Sequence, residues 1–188
     1  ADHAPFGSAT AKLGKRFGFD MSNSFVGEPG KRPPMIFLRD RGLAAHPITA
    51  GRKPSEQVNR VATFTGQGFK APESAEPLLE FGDETQMVIM KPGTRNAVVE
   101  RRDAQGYLQG AVLRVGKGRV AVFGEASMFS AQLAGPEKRP MGMNSPLAPD
   151  NQQFLLNVMH WLSRADGFGE VQTNAEEVEA EVEEIAEP

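Results

Sequence analysis

Two apolar runs flank one glycine turn near the middle of the chain. Leu108 to Val115 and Arg119 to Phe123 surround Gly116-Lys117-Gly118. Runs of this length around a short glycine turn predict a β-hairpin, so at least one strand pair is antiparallel. The second run, short, apolar and bounded by glycines, reads as a buried strand. Glu125 stands where that strand ends, ahead of a helix-like stretch. Ligands of open α/β sheets bind outside the carboxyl ends of strands. Glu125 is therefore the first residue to examine for function.

The pattern on either side predicts few helices. Asp150 to Leu162 is the best of them: Phe154, Leu155, Val158, Met159 and Leu162 recur on one face, with Trp161 at its flank. Asp150 and Gln153 have capping-box spacing. Ser8 can cap a second helix to Phe17, with Ala9, Leu13 and Phe17 as its apolar stripe. Ser127 to Leu133 reads as a short helix. Met35 to Leu38, Arg60 to Thr65 and Gln86 to Met90 read as strands. Gly27 to Pro34 and Ala134 to Pro149 read as loops, Pro77 to Phe81 as a connector, and Asn96 to Ala104 as irregular. Residues 1–165 are expected to form one domain, and 166–188 an acidic, disordered tail with the like-charge run that starts after Ala175.

Composition removes several classes of function. A net charge of −3 and only 7% aromatic residues argue against a nucleic-acid surface. No apolar run approaches the ~20 residues that span a bilayer. The chain has no cysteine, which excludes disulfides, thiolate metal sites and a cysteine nucleophile. Its three histidines lack any metal-ligand spacing, so neither a metal nor another cofactor is expected.

Asp2-His3 precedes the first helix and offers a base with an orienting carboxylate, or a polar strand end that caps a turn. Glu125 offers an acid/base, a ligand, or an acceptor for backbone N–H groups at the next helix start. Ser127 lacks the spacing of a nucleophile elbow and reads as a helix cap. His46 precedes Pro47 on a loop and can approach a site edge or serve the turn. His160 points away from the apolar face of its helix. Asn144 and Asn151, around the loop before the long helix, are further candidates for a ligand-binding rim.

Several segments taken together resemble a known family. They are Asp2-His3-Ala4-Pro5-Phe6, His46-Pro47-Ile48-Thr49, Phe64-Thr65-Gly66-Gln67, Gly116 to Phe129, and Asn157-Val158-Met159-His160-Trp161-Leu162. The pattern is similar to a bacterial domain family of unknown function among the class I glutamine-amidotransferase-like α/β domains, and to trehalose-utilisation-type domains of that superfamily. It covers roughly Ala1 to Ser163. The resemblance implies a three-layer, flavodoxin-like mixed α/β sheet, here lacking its N-terminal strands because the Asp-His pair ends a strand in such domains. The superfamily's amidotransferases use a Cys-His-Glu triad, and without cysteine no glutaminase activity is expected.

The expected site thus comprises Asp2, His3 and Glu125 as catalytic candidates, with His46, Gln67, Asn144 and Asn151 as ligand-binding ones. A non-catalytic domain that binds a small molecule or a protein is the favoured function. The alternatives are a water-mediated hydrolase and a structural subunit of an envelope-associated complex. An extracytoplasmic or envelope setting is favoured over a cytoplasmic one.

Overall fold

The computed structural model describes residues 1–92, 94, 97–165 and 168. The acidic run after Ala175 lies outside them. In chain order, a 3-10 turn (Gly7–Thr10) leads into α1 (Ala11–Arg16), then β1 (Asp20–Met21), β2 (Ser24–Gly27), β3 (Met35–Leu38) and the one-turn α2 (Pro47–Ala50). A 3-10 turn at Pro54–Glu56 precedes β4 (Arg60–Thr63), β5 (Phe69–Lys70), β6 (Glu76–Glu80), β7 (Gln86–Met90) and β8 (Val98–Asp103). The hairpin β9 (Leu108–Val115) and β10 (Gly118–Phe123) follows, then a 3-10 turn (Ser127–Phe129), β11 (Ala131–Ala134), β12 (Arg139–Gly142) and α3 (Asn151–Ser163).

The flavodoxin-like, three-layer α/β expectation is overturned. The strands form four small sheets: β1-β5-β9-β10 with β6 also on β9, β2-β7-β8, β3-β4 and β11-β12. Every pairing between these strands is antiparallel. The physical reason lies in the connections. Parallel neighbours need a crossover of a dozen or more residues, usually a helix. Among the described residues only α3 is long enough, and it follows the last strand. The amidotransferase-like architecture implied by the resemblance is overturned with it.

The central hairpin forms with Gly118 opposite Val115 and Phe123 opposite Gly110. β9 is its interior strand, buried from Gln109 to Leu113, because β5 and β6 cover its other edge. β10 is only half-buried from Arg119 to Phe123, not the fully buried strand its apolar run predicts. Its free edge and its neighbour on one side only account for the difference.

Other local expectations shift as well. The first helix begins after Thr10 rather than at Ser8, and Leu13 of the expected stripe is 61% exposed. Ser127 opens a 3-10 turn without capping it, and the expected helix from there to Leu133 becomes strand β11. Asn96 to Ala104 contains β8, whose six residues are all exposed. The stretch read as a connector around Pro77 is β6, with register shifts beside Pro77 and Leu79 where the ladder is interrupted.

α3 packs a face centred on Phe154, Val158 and Trp161 into the main core with Phe37, Ile48, Val61 and Leu78. Each such large apolar side chain contributes about 1.5–3 kcal/mol by leaving water. Met159, expected on that face, is 54% exposed. Asn151 and Asn157 share the buried face instead. A second cluster, Phe19, Met21, Phe69, Ala111 and Leu113, lies on the larger sheet. No helix among the described residues is long and apolar enough to cross a membrane.

Candidate functional site

Where β10 ends, its chain crosses the segment between β4 and β5. Gly124 N donates to Gln109 O at 2.8 Å, and Gln67 N donates to Gly124 O at 2.9 Å. A Cβ on Gly124 would stand 2.0 Å from Gln67 O, so only glycine permits this approach. The crossing delivers Glu125 beneath Phe64 and Thr65. Glu125 is 1% exposed. Its Oε1 accepts from Phe64 N at 2.8 Å, Thr65 N at 2.5 Å and Thr65 Oγ1 at 3.4 Å, and also from the Ser127 hydroxyl. Oε2 is buried with no hydrogen-bond partner among the described residues. Burial pushes the carboxyl up to about 7, against the opposing pull of the Ser127, Thr65 and Phe64 donors; the nearby Asp2 carboxylate adds to the upward push.

Gln67 joins the opening residues to this crossing. Its Nε2 donates to Asp2 O at 2.7 Å and to Gly7 O at 3.1 Å, and its Oε1 accepts from Asn23 N at 2.8 Å. The structure therefore brings Asp2, Gln67 and Glu125 into one neighbourhood. Their chemistry is turned inward. Gln67 is fully buried and occupied by backbone groups. The His3 ring stacks on Phe25 at 4.6 Å, and Nδ1 donates to Ala4 O at 2.5 Å, an arrangement that fixes the tautomer. Asp2 Oδ1 is 3.8 Å from Nε2 of that ring and accepts from His3 N at 2.8 Å.

The remaining candidates lie elsewhere. His46 is the N-cap of α2: Nδ1 accepts from Ile48 N at 3.1 Å, and His46 N donates to Thr49 Oγ1 at 3.1 Å. The capping box expected at Asp150 and Gln153 is thus found at His46 and Thr49. Nε2 of His46 is 3.3 Å from Glu76 Oε2, and the ring meets the edge of Trp161 at 6.0 Å. Burial lowers its pKa, assisted by Arg114 and opposed by Glu76. Asn151 is fully buried and bonded to Ala62 and Met128, a structural clasp rather than part of a rim. Asn144 is exposed, its Nδ2 donating to Gln132 O at 3.0 Å beside the β11–β12 hairpin.

Phe64 and Thr65 also line a cleft of about 190 Å³. It lies between the end of β2, the 28–34 loop and the paired ends of β3 and β4. Met35, Ile36 and Phe64 give it an apolar wall; Lys31, Arg32 and Arg41 line it with positive charge. Lys31 is held by Glu28, which also lines the cleft, and by Glu84 at 3.2 Å. Arg32 and Arg41 are exposed, and their side chains have no ion pair or hydrogen bond among the described residues. The sequence signal for this cleft is the basic pair Lys31-Arg32 inside a proline- and glycine-rich loop, a stretch whose reading as plain loop passes over it. Among the described residues no three His, Asp or Glu side chains converge as a metal site requires.

No family model matches the chain, and no curated protein matches it. A solved structure titled "mmIFT52 N-terminal domain" is similar with a TM-score of 0.48 and 14% identity, over 83% of this chain and 58% of that one. This chain therefore spans less than two thirds of the structure it resembles.

Proposed function

We propose that this chain is a non-catalytic binding domain that takes up a small molecule or a protein partner. One observation carries the reading. Glu125 Oε1, Asp2 Oδ1, His3 Nδ1 and the Gln67 amide are engaged with the chain's own backbone, and Glu125 is 1% exposed, while the neighbouring cleft presents two arginines whose side chains have no partner among the described residues. Glutaminase chemistry is outside this reading, because a thioester route needs a thiolate and the chain has no cysteine.

The water-mediated hydrolase is favoured by one feature, the Glu125 carboxyl held at about 7 next to Asp2. Against it stands the 1% exposure of Glu125, which leaves no approach for a substrate bond. The test is turnover of chromogenic carboxylic esters, phosphate esters, anilides and glycosides by the wild-type chain and by Glu125→Gln. Equal, background-level rates are expected. Hydrolysis that Glu125→Gln or His3→Gln abolishes in a still-folded protein overturns the proposal.

A further inference from the structure

The cleft between β2, the 28–34 loop and the β3–β4 pair carries more than a general binding role. We infer that it binds a small organic carboxylate, with the anion gripped by Arg32 and Arg41 and a short apolar body lying on Met35, Ile36 and Phe64. This rests on the reading of the chain as a binding domain and names the ligand class of that site.

Charge is the first argument. The chain as a whole carries −3, yet the cleft gathers Lys31, Arg32 and Arg41 against Glu28 alone. A local positive field on an acidic protein attracts small anions selectively. Lys31 is already held by Glu28 and Glu84, so the cationic groups left to meet a ligand are the two arginines. Guanidinium forks match the planar carboxylate and bind it through paired N–H donors.

Carboxylate is preferred to phosphate because of the backbone. Phosphate sites commonly offer a concave set of free main-chain N–H groups. In this wall the Phe64 and Thr65 amides are both spent on Glu125. Size is the third argument. At about 190 Å³ the cleft is smaller than the ~300–1,000 Å³ of pockets for drug-sized ligands, and it suits a ligand of a few heavy atoms beyond its charged group. The apolar wall then favours an aliphatic or aromatic body over a sugar.

A titration of the isotopically labelled chain followed by amide NMR tests this. The probes are benzoate and isobutyrate, benzamide as a neutral match, inorganic phosphate, and one short apolar peptide with either a free or an amidated C-terminus. Benzoate and isobutyrate are expected to shift the amides of Lys31, Arg41 and Thr65 saturably at low salt, with benzamide inert and phosphate weaker. Arg32→Gln and Arg41→Gln, both at exposed positions, should each weaken binding about tenfold, as expected for a lost charge-assisted hydrogen bond. A free metabolite and a partner's terminal carboxylate share this chemistry. Tighter binding by the free-acid peptide than by isobutyrate assigns the site to a chain terminus, the reverse to a small molecule, and both support the inference. Equal response to benzamide, tighter binding of phosphate, no saturable shift at millimolar carboxylate, or unchanged affinity in both arginine variants overturns it. Absence of carboxylate binding in a chain that also lacks turnover removes this inference and leaves the non-catalytic reading standing. Glu125-dependent hydrolysis removes that reading and leaves carboxylate binding intact.

Discussion

The Thr65 amide donates to Glu125 Oε1 at 2.5 Å, and Phe64 does so at 2.8 Å, so a single carboxyl oxygen anchors the end of β4. The other oxygen, Oε2, is buried with no hydrogen-bond partner among the described residues. Because burial raises this carboxyl from 4.5 to about 7, the folded state holds a proton that the unfolded chain has released between those values. Stability contributed by the neutral form is therefore present below 4.5 and is lost as pH rises through about 7. At about 1.4 kcal/mol per pH unit the change is about 3 kcal/mol across the window. Glu125→Gln keeps an acceptor oxygen and removes the titration. Denaturant unfolding across this range should show the variant gaining on the wild type as pH rises. An identical pH slope in the two proteins would sink the idea.

His46 titrates with the opposite sense. Its Nδ1 must be unprotonated to accept from Ile48 N–H and cap α2. Around the ring stand Glu76, Arg114 and Trp161. The pKa is lowered from 6.5 by burial, so the unfolded chain takes up a proton first as pH falls. Stability is full above 6.5 and declines as pH drops toward the lower folded value. His46→Asn retains a cap acceptor at every pH and should flatten this acid-side decline. A variant as acid-sensitive as the wild type would show that the cap is not responsible.

Asn151 holds Ala62 by both of its backbone groups. Ala62 N donates to Oδ1 at 2.9 Å, and Nδ2 donates to Ala62 O at 2.8 Å and to Met128 O at 2.9 Å. Asn151→Asp has the same shape but loses both donations and places a charge at a fully buried position. Unfolding free energy should fall by about 3 kcal/mol or more, given the cost of each unsatisfied buried group. A loss below about 1 kcal/mol, the net worth of one ordinary hydrogen bond, would contradict the clasp.

Trp161 is the chain's one tryptophan and is fully buried. Arg119 stands 4.8 Å from its ring centroid, and Nη1 donates to Trp161 O at 2.5 Å and Phe168 O at 2.7 Å. Lysine reproduces the charge but neither the flat stack nor the forked donors. Arg119→Lys should destabilise by about 1–2 kcal/mol and change the tryptophan emission of the folded state. Unaltered emission and stability would remove the stack from the account.

What the sequence makes legible follows from the range of each interaction. The β9–β10 hairpin is readable because its partners are neighbours in the chain with a glycine turn between them. α3 is readable from its apolar period. β8 is hidden because none of its residues is buried, so Glu100-Arg101-Arg102-Asp103 carries no alternating signal. β6 is hidden by Pro77, tolerated where its ladder to β9 is irregular. The expected cap at Asp150 fails because its carboxylate is claimed by a strand: Oδ2 accepts from Asn59 N at 2.8 Å and Arg60 N at 3.0 Å. For the site, the end of β10 points to Glu125. The inward commitment of Gln67 and Asn151 depends on partners far away in the chain, and no local pattern encodes it.

The bonds from Asp150 and Asn151 to Asn59, Arg60 and Ala62, at and just before β4, cross 91, 90 and 89 positions of sequence. On a ribosome, then, β4 is made long before the residues that fasten it. Until α3 is made, the amides of Asn59, Arg60 and Ala62 lack these side-chain acceptors.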